Sequence, residues 1–178
     1  MKKAILRKVV RFKLSRQSVK EATKLAEKMK SYYLELVQEV SVDQGKRVVV
    51  VPESMGVDSD MTHWSYFQLL EHNAIVNRNI TRVVRALMTG EGAEQLDEFD
   101  TKKDVLPSAE TGQESVEDFT KSVDEHIAYI GEFGHLKSSA RRDHPIFGAF
   151  DAHMWHGMFG LHLKVHANQA KMIAEHSN

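Results

Sequence analysis

His162 and His166 stand four residues apart in LHLKVHANQ, so on a helix both imidazoles project from one side about one turn apart, close enough to share an ion. They belong to a longer register. Trp155, Phe159, His162, His166, Gln169 and Ile173 recur at alternating spacings of four and three, which marks one continuous helical face aimed at partner helices. His72, in LLEHNAIV, falls into the apolar register of an earlier segment with Leu69, Val76, Ile80, Val83 and Leu87. Cysteine is absent, which excludes disulfides, thiolate ligands and a cysteine nucleophile and leaves His, Asp and Glu as the available ligands.

Three histidines at positions where the pattern calls for core need polar partners, because burying an unpaired imidazole donor or acceptor costs on the order of 1–3 kcal/mol per group. One divalent ion would serve all three, since packed helix axes lie roughly 8–10 Å apart and imidazole nitrogen binds such ions at roughly 2.0–2.1 Å. Three neutral histidines with an open position describe a reactive site better than a closed structural one. The charge of such an ion, left uncompensated, lowers the pKa of a bound water or thiol. Zinc or nickel suits these ligands, and iron or manganese is compatible, because ligand type alone does not choose the metal. The competing reading is that these are core histidines hydrogen-bonded to polar neighbours such as Gln169 or Asn79.

Other metal architectures do not fit. HLKVH lacks the glutamate that a zinc-protease helix places after its first histidine, and no pair of inward Glu-x-x-His segments supports a di-iron site. Most of the ten histidines lie towards the C-terminal end. Among them His126 sits beside an apolar stripe and is a candidate pocket or supporting residue, as are Trp155 and Gln169, although partial exposure is the expectation for His126. His153 and His156, which flank Trp155, are expected to face solvent, as are His63, His135, His144 and His176. Trp64 and Trp155 are expected to be ordinary packing. No catalytic residue is legible: Glu71, Asp124 and Glu125 are only nominal bases, and no Ser-His-Asp set or phosphate-cradling glycine loop is present.

The elements that must position these residues follow from periodicity. From Ser15 onward, Val19, Ala22, Ala26, Met29, Tyr33, Leu36 and Val40 predict a long first helix ending near Asp43-Gln44-Gly45. RVVVVP, at 47–52, predicts an extended connector. A second helix is expected from about 62–64 to Met88, before Gly90 and Gly92, and a third from a Ser115 cap through Val116, Phe119, Val123, Ile127 and Ile130. Between them, residues 90–113 are acidic and aperiodic and read as a long surface connection, with a short helical turn over 94–99. Residues 135–150 read as a loop around Pro145, and Asp151 as the cap of the last helix. Four apolar stripes bury one another most simply in an all-α four-helix bundle, one domain over 1–178.

The net charge of -1 hides a basic start and an acidic middle, but the basic residues are spread through an amphipathic pattern without an aromatic-studded groove. Neither nucleic acid nor membrane is an expected partner, because Arg7, Lys8 and Arg11 also interrupt any signal or spanning run. A cytoplasmic location is the resulting expectation.

His144-Pro145-Ile146-Phe147-Gly148 followed by Trp155, His162, His166 and Gln169 resembles the DinB-like superfamily, which includes the YfiT-like proteins. The resemblance covers the second helix and, more specifically, 144–173, and is faint over 1–47. It implies a four-helix bundle in which His72, His162 and His166 hold a divalent metal. It further implies an enzyme of hydrolase or thiol-transferase type acting on a small molecule, with a low-molecular-weight thiol as one candidate, and a homodimer; the long basic first helix has enough non-core surface to contribute to packing between subunits. Family members often carry a further histidine just before the last one of the pair, where this chain has Val165. The rival from another class is a non-enzymatic, stress-related module that binds a ligand or metal without turnover.

Overall fold

Serine and aspartate caps set where the helices begin. Ser18, Ser41 and Ser65 each accept a hydrogen bond from the backbone three residues on, and Glu21, Gln44 and Gln68 reach back in reciprocal capping boxes, while Asp151 accepts from the Met154 amide. In the computed structural model, which describes residues 2–93, 96, 100 and 102–177, the chain is mostly helical and of the all-α class. Its helices are α1 (Lys2–Arg16), α2 (Val19–Gln38), α3 (Val42–Gly45), α4 (Tyr66–Thr89), α5 (Glu114–Gly131) and α6 (Ala152–His176). Two antiparallel ribbons join them: β1 (Val49–Val50) pairs with β2 (His63–Trp64), and β3 (Arg142–His144) with β4 (Gly148–Phe150).

Several expected boundaries move. The first helix does not run on from Ser15: Ser15 and Arg16 end a separate helix α1, and Ser18 starts α2 afresh because its side chain captures the orphan amide of Glu21. Nor does α2 reach residues 43–45, which form the single turn α3 under a new cap, Ser41. The second helix begins later than residues 62–64, since these pair into β2 or lead into it and Ser65 is the cap. Ser115 lies inside α5 rather than capping it; the cap position is Gln113, without a side-chain bond. The loop expected at 135–150 contains the β3–β4 hairpin, with Gly148 at φ +78 where the left-handed backbone favours glycine. Of the helical turn expected over 94–99, only Leu96 lies within the described residues.

Packing follows the apolar stripes. Helix α2 packs along α5 and α6, and α4 packs along α5 and α6. Between α2 and α6 the backbones come close at Gly160, where an added Cβ would stand 3.1 Å from the Ala26 nitrogen. Two buried tyrosines cross the core: Tyr66 donates to the Tyr33 carbonyl at 2.8 Å, and Tyr33 donates to the Leu163 carbonyl at 2.9 Å. They tie α4 to α2 and α2 to α6, and the direct α4–α6 contact brings His72 opposite His162 and His166.

Candidate metal centre

His72, His162 and His166 form a group that could hold a metal ion. One nitrogen from each lies within 4.8 Å of the others, and the ring centroids are 4.7–5.3 Å apart. His72 and His166 are buried and His162 is half-buried.

The hydrogen bonds settle which nitrogens are available. His72 Nδ1 lies 2.7 Å from the Val105 carbonyl oxygen. A carbonyl only accepts, so Nδ1 carries the proton and Nε2 holds a lone pair. That Nε2 is buried with no hydrogen-bond partner among the described residues. Gln169 fixes His166 in the same way. The Gln169 amide nitrogen donates to the Met61 carbonyl at 2.7 Å, which turns Oε1 towards His166, and His166 Nδ1–H donates to it at 2.8 Å. The lone pair of His166 is therefore on Nε2 as well. His162 has its Nδ1 buried without a partner. A metal-binding histidine commonly spends its other ring N–H on a carbonyl or carboxamide oxygen, which fixes tautomer and ring orientation. His72 and His166 are held in that manner.

Burial is the first cause of low basicity at all three. It pushes His72 down to about 3, helped by the neighbouring His166 and opposed by the bond to Val105. It carries His162 well below the usual histidine range, with His166, His72 and His144 adding to the effect, and it lowers His166 against the Gln169 bond. All three imidazoles are thus neutral near pH 7, the form in which histidine binds a metal.

Two buried nitrogens without partners, on neighbouring neutral imidazoles, fit a cation of the kind the sequence suggests. Two nitrogens bound at about 2.1 Å to one ion lie at most about 4.2 Å apart. Around a tetrahedral ion with one open position three such nitrogens lie about 3.4 Å from one another, so separations approaching 4.8 Å would have to close by about an ångström as the rings turn onto the ion.

The acidic connection between α4 and α5 is part of this centre. Its residues 105–111 fold back on α4: Glu71 accepts from the Ser108 amide at 2.8 Å and from the Thr111 hydroxyl, and Gln68 donates to the Ser108 carbonyl at 3.1 Å. Val105 is buried as a result, and its carbonyl is delivered to His72. Neither Val105 nor Met61 carries a sequence signal, because each acts through its backbone carbonyl. Glu71, a nominal base, is committed to this latch, while Asp124 pairs with Lys30 and Glu125 lies 3.9 Å from Lys121. Trp64 packs on His72 with centroids 4.9 Å apart. Trp155 instead packs on His144 and Phe150 and donates to the Arg142 carbonyl.

His126 belongs to a second cluster. Its Nε2 lies 3.0 Å from Nδ1 of His156, its Nδ1 lies 2.8 Å from the Thr81 hydroxyl, and His156 Nε2 lies 3.2 Å from the Thr23 hydroxyl. The chain Thr23–His156–His126–Thr81 crosses from α2 through α6 and α5 to α4, so one hydrogen-bonded row, buried at its two histidines and half-buried at its threonines, joins all four long helices. Both histidines are 0% exposed, which corrects the expectation of exposure at His126 and His156. Every ring nitrogen in the pair has a partner, so burial carries no orphan penalty. His144 is also less exposed than expected: its Nδ1 accepts from the Ile146 amide at 3.1 Å, and burial lowers its pKa to about 4.

Comparison with protein-family models, with curated proteins and with solved structures finds no match to this chain.

Proposed function

We propose that the chain is a metal-dependent enzyme of the DinB/YfiT-like four-helix-bundle type, holding one divalent ion, zinc or nickel before iron or manganese, through His72, His162 and His166. The observation that carries this reading is the pair of orphaned nitrogens, His72 Nε2 and His162 Nδ1, buried beside His166 while the second nitrogens of His72 and His166 are spent on fixed acceptors. Core histidines kept only for packing would be expected to resemble the His126–His156 pair, in which each nitrogen is satisfied.

The ion, held by neutral ligands, supplies Lewis acidity that favours the anion of a water or a low-molecular-weight thiol, and so supports a hydrolase or thiol S-transferase acting on a small molecule. Val105 and Gln169 hold the ligand rings in place, and Trp64 covers one face of His72. The resemblance over 144–173 supports the same class and a homodimer.

The test is an assay of metal-loaded protein with glutathione and other thiols against model electrophiles, and with activated esters and amides, beside the His162→Ala variant. Metal-dependent turnover that the variant loses supports the enzyme. Saturable ligand binding with equal background rates in both proteins assigns a non-enzymatic binding module instead.

A further inference from the structure

Helix α1 is held to the body by one face and leaves the other uncovered. Leu14 is buried, and the space beside it is set by Gly157, where an added Cβ would stand 3.0 Å from a Leu14 methyl. Arg7 donates to the Ile146 carbonyl at 2.9 Å, and Arg11 donates to the Phe147 and Ala149 carbonyls at 3.1 and 2.7 Å, so the helix is pinned along its inner side to the β3–β4 hairpin.

On its outer side Ile5, Val9 and Phe12 follow at spacings of four and three, which places them in one stripe. They are 58%, 57% and 62% exposed. A scattered exposed apolar residue needs no explanation, but three large ones in register on a helix pinned by its other face do.

The charges around the stripe say what covers it. Every charged residue of α1 is Lys or Arg, and none is Asp or Glu. On the helical wheel Lys8 falls to one side of the stripe, Lys13 to the other and Arg16 in line with it, with the Arg16 guanidinium 4.7 Å from the Phe12 ring centre. A second copy of the chain packing symmetrically through α1 would set cation against cation, since a two-fold contact presents the same patch on both sides. A polyanion read by charge alone would not need three aliphatic and aromatic side chains at the centre. A surface that is negative at its rim and apolar just beneath matches both features, and that is the headgroup boundary of an anionic phospholipid layer.

We infer that the Ile5–Val9–Phe12 face of α1, with its flanking Lys8, Lys13 and Arg16, is a docking surface for anionic phospholipid. This is attachment and not insertion: among the described residues no helix is long and apolar enough to cross a membrane. Arg7, Lys8 and Arg11 interrupt any signal or spanning run, but charges at such spacing are compatible with a helix lying at the surface of a lipid layer.

Co-sedimentation of the full chain with phosphatidylcholine vesicles, with and without phosphatidylglycerol, tests the inference. Binding only to the phosphatidylglycerol vesicles, weakened by salt, is expected, because apolar burial and basic charge act together at such a surface. The Ile5→Ser/Val9→Ser/Phe12→Ser variant, whose substituted side chains lie outside the core, should keep its circular dichroism and partition at least about tenfold more weakly. Lys8→Glu/Lys13→Glu, which leaves the stripe intact, should weaken binding as well and controls for any loss of fold in the first variant. No binding above the phosphatidylcholine control overturns the inference, as does binding by both variants that equals that of the unaltered chain. So does a doubling of mass in light scattering, or retention of a DNA oligonucleotide, that the triple serine variant abolishes, for either would show that another partner covers this face.

Discussion

His72 donates from Nδ1 to the carbonyl oxygen of Val105, thirty-three residues further along the chain, and this one bond decides that the lone pair of Nε2 points to the candidate metal centre. The connection between α4 and α5 that carries Val105 is latched back onto α4 by Glu71, the residue beside His72, which accepts from Ser108 and Thr111, and by Gln68, which donates to the Ser108 carbonyl.

Releasing that latch should therefore be felt at the metal. Glu71→Ala removes the acceptor for the Ser108 amide and frees the segment that carries Val105. Loss of an orienting partner typically weakens metal binding about 10–100-fold. A competition titration with a chromophoric chelator should show a fall within that range for Glu71→Ala, with little change in helical content. Undiminished affinity would mean that Val105 holds His72 without help from Glu71.

Gln169 is the corresponding support for His166. In Gln169→Leu, His166 Nδ1–H and the Met61 carbonyl both lose their partner. The variant should lose roughly 1–3 kcal/mol of stability per buried group left unpaired, and bind metal about 10–100-fold more weakly. Urea unfolding of the metal-free protein and the chelator titration separate these effects. A stability loss with unchanged affinity would restrict Gln169 to a packing role.

The His126–His156 pair should behave as a unit separate from the metal. Replacing either histidine with leucine strands the other's nitrogen in the core, at roughly 1–3 kcal/mol, whereas replacing both removes two orphans at once. A double-mutant cycle by urea unfolding should give a double loss smaller than the sum of the single losses. His156 precedes His162 by six residues, roughly 9 Å along the helix, so metal affinity should hardly change in any of the three variants. Strict additivity would show that the 3.0 Å contact contributes no coupling.

The metal-free protein should be sensitive to acid. Burial lowers the pKa of His72 to about 3 and of His144 and His156 to about 4, against the ordinary 6.5, and it lowers His126, His162 and His166 too. The unfolded chain then takes up protons first as pH falls. Stability from these groups is complete above pH 6.5 and drains away as pH falls through the folded values near 4 and 3. The urea midpoint of chelated protein should accordingly drop between about pH 7.5 and about pH 5. A flat profile would show that these imidazoles titrate alike in both states.

Much of this was legible in the residues themselves. The alternating spacings from Val19 to Leu36 and from Phe159 to Ile173 marked helices, and the same spacing put His162, His166 and Gln169 on one face. The exposure expected at His126 and His156 was a misreading with a physical cause. A polar residue beside an apolar stripe can be buried once its partner is known, and the partners here come from other helices. Periodicity reports how apolar a face is and not what lies opposite. Val105 was hidden for a related reason, since a backbone carbonyl has no side-chain signature and the connection carrying it has no period. The break between α1 and α2 depended on Ser18 outcompeting a helical continuation, a local hydrogen bond that the smooth basic pattern through 1–30 concealed.

The most direct measurement is the metal content of protein purified without a nickel column, by elemental analysis, followed by titration of the chelated protein with zinc and nickel. The account predicts about one equivalent of a divalent transition metal per chain, bound again after chelation and lost in His162→Ala, since the protein holds one three-histidine group among its described residues. Protein that carries less than about a tenth of an equivalent of every transition metal, and takes up none on titration, would contradict it and return His72, His162 and His166 to the status of core histidines.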